Sequence, residues 1–372
     1  MRDSQLYKKV YGCLIGGAIG DAFGIRVEMM HYRDIEAQYG RVTHFGPLSP
    51  RQPSQQPPLE RWYPFGVQLG NVDGFHPMGR WSRETGAYTD DMRYRLMACH
   101  AILRQRGPIT GRDLAAEWLN YRLMVEGAEE YEPTLSWPGP QRAYARAIAS
   151  LDRLVEMAQQ QRPCLSGWDA PMGLIHAGDP AGAAKGGYSM AVAVATALTP
   201  GATIDRVIEN VLTYADSLGR HAGEFVGRVN RLLEIAARCE DASGLYEPFY
   251  REFLVTFPPW DAVFTLEMVP AALAICFIAK GDAEHAIIGA ANLGRDSDTI
   301  TSMVGELMGA LEGFDAFPGD WVDQVARLNP EPDMARMAED LCELIRERAQ
   351  AQQERAGALL TTLGERGQLQ GE

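Results

Sequence analysis

Carboxylates and hydroxyls gather at three places in this chain. Tyr88-Thr89-Asp90-Asp91 and Gly294-Arg295-Asp296-Ser297-Asp298-Thr299 each set two aspartates and a threonine directly ahead of an apolar, helix-patterned stretch. Near the N-terminus, Gly20-Asp21-Ala22-Phe23-Gly24 and then Glu28 add two more carboxylates. Hard oxygen donors without histidine or cysteine suit Mg²⁺ or Mn²⁺ far better than Zn²⁺. A plainer use competes: Asp or Thr before a helix is also a good N-cap, accepting from the free backbone N–H groups. A cap needs one such residue, however. Two neighbouring carboxylates at one helix start repel each other unless something cationic lies between them. The arrangement occurs twice, which favours the metal reading.

The elements that must position these clusters read as helices. Apolar residues recur at helical spacing over 4–20, 91–105, 111–125, 140–160, 181–198, 203–217, 221–238, 268–279, 282–293, 298–312, 320–327 and 333–356. These segments are rich in Ala, Leu, Met, Glu and Arg, which favour helix. Alternating β-branched runs are nearly absent, with one weak strand-like hint near Val42–Phe45. The pattern predicts an all-α, multi-helix single domain over 1–330, followed by a C-terminal helix and tail over 331–372. Small residues at Gly16-Gly17-Ala18, Gly289-Ala290-Ala291 and Gly305 with Gly309 mark close helix packing. Residues 46–84 carry seven prolines and five aromatics; a loop this long in a compact domain reads as a lid, a surface excursion or an oligomer contact.

Composition narrows the partners. The 372 residues are 46% hydrophobic and 23% charged, an ordinary soluble composition. The net charge is 35 − 49 = −14, which argues against nucleic acid or an anionic membrane as the main partner. Six scattered cysteines form no C-x-x-C pair and read as reduced thiols in a cytoplasmic protein. Residues 10–20 mimic a signal peptide after Lys8-Lys9, but Asp21 interrupts the pattern. The longest uncharged stretch, 186–204, is broken by Pro200-Gly201, so no transmembrane helix is expected there.

With these residues in hand, a resemblance emerges. Gly12-Cys13-Leu14-Ile15-Gly16-Gly17-Ala18-Ile19-Gly20-Asp21-Ala22-Phe23-Gly24 with Glu28 resembles the opening helix of the ADP-ribosylglycohydrolase family. Thr89-Asp90-Asp91 is similar to its T-D-D motif, and Asn292-Leu293-Gly294-Arg295-Asp296-Ser297-Asp298-Thr299-Ile300 to its closing N-x-G-G-D-x-D-T-I motif. The stretch Glu267–Ala274 and the ending Phe317-Pro318 to Trp321 fit as well, so the likeness spans about residues 6–328. It implies an orthogonal all-α bundle holding two Mg²⁺ or Mn²⁺ ions. Carried over by position, Thr89, Asp90, Asp91, Asp296, Asp298 and Thr299 would be metal ligands. Glu28 would sit at the mouth as a ligand or gate. Glu28, Asp91 and Asp298 are the candidate catalytic carboxylates, with Asp90 also open as the base. The implied reaction is hydrolysis of the bond between the anomeric carbon of an ADP-ribose and a protein nitrogen or oxygen.

The chain departs from the family pattern at three places. Met92 stands where the family usually has Thr, and Arg295 replaces the second Gly. The central G-N-G-x-x-M-R pattern is replaced by Ser166-Gly167-Trp168-Asp169-Ala170-Pro171-Met172-Gly173. The metal ligands are therefore expected intact and the side facing the nucleotide rebuilt. Trp168, Asp169 and Arg295 are the candidate substrate contacts: a stacking ring, a sugar hydrogen-bond partner, and a cation for a phosphate or carboxylate. Two other readings stand beside the ADP-ribosyl one: hydrolysis of a smaller ribosylated compound or nucleoside, and a crystallin-like, non-catalytic binding or structural protein. A homo-oligomer is possible under each.

Overall fold

The structure, a computed structural model, describes residues 2–46, 48, 86–109, 113, 180–217, 223–256, 265–330 and 332–362. Its helices are α1 (Gln5–Gly24), α2 (Tyr32–Tyr39), α3 (Asp90–Gln105), α4 (Pro180–Ala197), α5 (Ile204–Ser217) and α6 (Gly223–Ala236), then α7 (Ser243–Pro248), α8 (Thr265–Ala279), α9 (Ala283–Leu293), α10 (Ser297–Glu312), α11 (Gly319–Leu328) and α12 (Met334–Thr362). Among the described residues there is no strand; one isolated bridge joins His31 to Gly294. The fold is all-α, as the periodicity predicts. The helix expected over 140–160, all of that over 111–125 but residue 113, and nearly all of the 46–84 loop lie outside the described residues.

The centre of the molecule is the contact of α1 with α10. On α1, Gly12, Gly16, Gly20 and Gly24 fall every fourth residue and so share one face. On α10, Ser297, Thr301, Gly305 and Gly309 do the same, and the two rows meet in antiparallel order. A Cβ built on Gly16 would lie 2.3 Å from the Gly305 carbonyl oxygen, and one on Gly20 would lie 2.1 Å from that of Thr301. The helices touch backbone to backbone, so any side chain at these glycines forces them apart. This contact carries Asp21, at the end of α1, to the start of α10, where Asp296, Asp298 and Thr299 stand.

The remaining helices bury this pair. Helix α8 is apolar all round apart from Glu267 near its start, and Val269, Leu273 and Ile275 are fully buried. Helix α12 lays Met334, Met337, Ala338, Cys342 and Leu344 against the core, and its later turns are exposed. The stretch Gln5–Val27 is long and apolar enough to cross a membrane by length and composition. Its most apolar window is 83% buried inside the protein, the condition of a core helix.

Two buried asparagines clamp the segments that lead into the site. The Asn292 amide accepts from the Val42 N–H at 2.9 Å and donates to the Val42 carbonyl at 2.8 Å. Val42–Phe45, which carries the strand-like hint, is therefore irregular chain tied to α9 rather than a strand. In the same way Asn329 accepts from the Tyr88 N–H at 3.3 Å and donates to the Gly86 carbonyl at 2.9 Å, fixing the approach to Thr89.

Candidate metal centre

Glu28 reaches the acidic loop before α10 because their backbones are joined. After α1 a single 3-10 turn, Ile25–Val27, releases the chain at Glu28. The Met29 N–H then donates to the Arg295 carbonyl at 2.6 Å, and the Arg295 N–H to the Met30 carbonyl at 2.9 Å. Gly294 makes this possible: its φ is +79°, and a Cβ there would lie 2.1 Å from the Met30 oxygen. One oxygen each from Glu28, Asp296 and Asp298 consequently falls within 4.8 Å of the others.

The T-D-D segment is held from α1. Asp21, fully buried, accepts from the Thr89 N–H at 2.9 and 3.0 Å and from the Met92 N–H at 3.1 Å. It thereby caps α3 from another helix. Thr89 occupies the N-cap position of α3 and Asp296 that of α10, yet neither side chain makes a cap bond. Elsewhere caps do form: Ser4 caps α1 and Asp282 caps α9. The capping alternative therefore does not account for the side chains of Thr89 and Asp296. Instead the buried Thr89 hydroxyl lies against Asp21, and the Asp296 carboxylate against Asp298 and Thr299, while Thr89 Oγ1 and Asp296 Oδ2 have no well-formed hydrogen bond, a shortfall that a ligand would relieve. The Thr299 hydroxyl donates to Asp91 Oδ2 at 2.7 Å, linking the two motifs.

Burial and mutual repulsion shape the electrostatics. Burial first, and then the nearby Asp91, push the Asp21 carboxyl well above the usual range. Burial likewise raises Asp296, helped by Asp91 and Glu28. It also raises Asp298, helped by Glu28, Asp296 and Asp91. A dication held among these oxygens would reverse the trend by supplying positive charge. Hard oxygens, two of them buried without a well-formed hydrogen bond, and mutually repelling carboxylates together fit Mg²⁺ or Mn²⁺.

Of the residues singled out in the sequence, the structure gathers Glu28, Asp296 and Asp298, joins Asp91 to Thr299, and brings Thr89 to Asp21. Helix α3 begins at Asp90. Trp168 and Asp169 lie outside the described residues. Arg295, set beside the substrate on its charge, engages a carboxylate of the protein itself. Its Nε and Nη2 donate to Glu267 Oε1 and Oε2 at 2.7 and 2.9 Å, with both side chains buried and Arg295 at φ +64°. This forked pair braces the loop that carries Asp296 against α8. Sequence reasoning missed the capping role of Asp21, the Glu267 partner, and a second ion pair, Arg95 with Glu306. Only the last left a signal: Arg95 is one turn after Asp91, and Glu306 two turns after Thr299.

This all-α bundle with an acidic centre at its crossing helices agrees with the comparisons to known proteins. The sequence matches the ADP-ribosylglycohydrolase family over residues 2–351, and the chain belongs to that family. It is 24% identical over 325 residues to the Escherichia coli (strain K12) protein described as "Uncharacterized protein YegU", covering 83% of this chain and 89% of that one. Family membership supports a glycohydrolase.

Proposed function

We propose that the protein is a divalent-metal-dependent hydrolase that cleaves a ribosyl N- or O-glycosidic bond, with an ADP-ribosyl group on a protein or small-molecule acceptor as substrate. The observation that carries this is the meeting of Glu28, Asp296 and Asp298 within 4.8 Å of one another, beside the Asp91–Thr299 link. Thr89, Asp90, Asp91, Asp296, Asp298 and Thr299 would hold Mg²⁺ or Mn²⁺, which would supply Lewis-acid charge to the reaction. The chain's own groups do the rest. Asp298 or Asp91, as carboxylate, takes the proton from a water attacking the anomeric carbon. The bond to the acceptor breaks as the new C–O bond forms, and the acceptor leaves with a proton. Thr299 fixes the orientation of Asp91, and Glu28 lines the mouth.

A smaller ribosylated compound or nucleoside is the second reading. What supports it is the engagement of Arg295 by Glu267, which leaves that guanidinium committed to a protein carboxylate, and the replaced pattern at Ser166–Gly173.

A thermal-shift series in EDTA, Mg²⁺ and Mn²⁺, each with ADP-ribose, ribose or a nucleoside, separates the readings. A ligand at a hundred times its Kd stabilises the fold by about 2.7 kcal/mol. Metal is expected to raise Tm, and ADP-ribose to raise it further only with metal present. A further rise with nucleoside but not ADP-ribose favours the smaller substrate. No response to either metal contradicts metal dependence.

A further inference from the structure

The acidic centre rests on a second tier of polar contacts one helical turn below it. In the upper tier, Asp21 of α1 caps α3, and Thr299 of α10 donates to Asp91 of α3. One turn along each helix stand Gly17, Arg95 and Ser302, with Glu306 one turn further on α10. Arg95 Nε lies 2.9 Å from Glu306 Oε1, and Arg95 Nη1 donates to the Ser302 hydroxyl. That hydroxyl in turn donates to the Gly17 carbonyl at 2.9 Å. The missing side chain at Gly17 gives the pair its room: a Cβ there would meet Glu306 Cγ at 2.9 Å and Arg95 Nη1 at 3.5 Å.

Arg95 and Glu306 neutralise each other, and Arg95 also stands one turn after Asp91 on the same helix; burial opposes its charge, which Glu306 favours first and then Asp91 and Asp21. The thiols Cys13 and Cys99 also border the pair. A structural ion pair needs only Glu306. The position one turn after Asp91 also sets the Arg95 charge beside that carboxylate's helix turn.

We propose that Arg95 is a positioning residue that serves as the built-in counter-cation of the acidic centre, holding Asp91 in place when no divalent metal is bound. This rests on the metal reading above. It answers a question the sequence raises, namely what keeps paired carboxylates at a helix start from repelling one another in the empty protein. A guanidinium fixed one turn away stabilises the charges without occupying the oxygens that would bind metal. It also opposes the incoming cation, so its removal makes the site more avid.

The test compares the full-length wild type with Arg95→Gln and with Arg95→Gln/Glu306→Gln, using Mn²⁺ alone as the probe at pH 8. Calorimetric titration and Tm in EDTA and in Mn²⁺ are the readouts. Arg95→Gln is expected to lower Tm in EDTA, to recover most of that loss in Mn²⁺, and to bind Mn²⁺ roughly tenfold more tightly, within the usual range of coupling between sites. The double variant separates the two roles, because it leaves no unpaired Glu306, and it is expected to keep the tighter binding. If Arg95→Gln folds only with Mn²⁺ present, the proposal is supported. If its Tm falls equally in EDTA and Mn²⁺ with unchanged affinity, or if the double variant returns to wild-type affinity, Arg95 is only a structural partner of Glu306 and the proposal is overturned. A wild type that binds no Mn²⁺ overturns the metal reading itself, and the proposal with it.

Discussion

Asp298→Asn is expected to abolish measurable Mn²⁺ binding and to reduce kcat/KM for ribosyl hydrolysis at least about a thousandfold. Asp298 is buried, contributes one oxygen to the trio with Glu28 and Asp296, and is a candidate base as well as a ligand. Removing a general base costs about 10²–10⁴ in rate, and losing the metal removes the Lewis acid too. The amide is nearly isosteric, so packing survives. The electrostatic sign makes the variant diagnostic. Burial and three neighbouring carboxylates hold the Asp298 carboxyl well above its ordinary range. A carboxyl whose pKa is raised on folding costs the fold nothing below its unfolded pKa, where both states are protonated, and metal-free stability is lost as pH climbs from there through the raised folded value. The neutral amide removes this cost, and the metal-free Tm of Asp298→Asn at pH 8 should equal or exceed that of the wild type. Loss of activity with a lower metal-free Tm would instead indicate a damaged fold.

The largest stability effect is expected at the α1–α10 crossing. A Cβ on Gly305 would sit 1.9 Å from the Gly16 oxygen and 2.5 Å from its carbonyl carbon. No rotamer relieves a backbone clash, so Gly305→Val must separate the two central helices. Overpacking of a side-chain core costs about 1–3 kcal/mol, and a backbone collision exceeds that; about 4 kcal/mol or more is expected. Since the same contact carries Asp21 to Asp298, the variant should lose metal binding along with its cooperative melt. Gly227→Ala is the control: this glycine lies within α6, is exposed, and a Cβ there meets nothing within 4 Å. It should gain about 0.5–1 kcal/mol from helix propensity. Soluble, cooperatively melting Gly305→Val protein would show that the crossing tolerates separation.

How much of this was legible in the sequence follows from the range of the interactions involved. Helix α10 is plain because Asp296-Ser297-Asp298-Thr299 precedes a long apolar run, a local signal. The glycines at 16, 305 and 309 likewise announce close packing by their spacing, although not which helix meets which. Helix α2, eight residues with one apolar position fully buried, is too short for periodicity to register. The stretch Ser243–Thr256 contains Pro248 and passes through a π turn at Phe249–Phe253, which breaks the 3.6-residue pattern. The candidate ligands were readable as types, since hard oxygens in pairs have few other uses. Their supports were not: Asp21 beneath Thr89, Glu267 beneath Arg295 and Arg95 beside Glu306 are partners distant in sequence, which only the folded arrangement supplies. Arg295 illustrates the gap. Charge and position suggested a substrate contact, and the carboxylate it meets belongs to α8.

The most direct measurement is release of free ADP-ribose from an ADP-ribosylated protein, followed for the wild type in Mn²⁺, in EDTA, and in EDTA with Mn²⁺ restored. Release is expected in Mn²⁺, with its loss in EDTA and its return on adding the metal back. Release that continues undiminished in EDTA would contradict the central role given to the acidic centre.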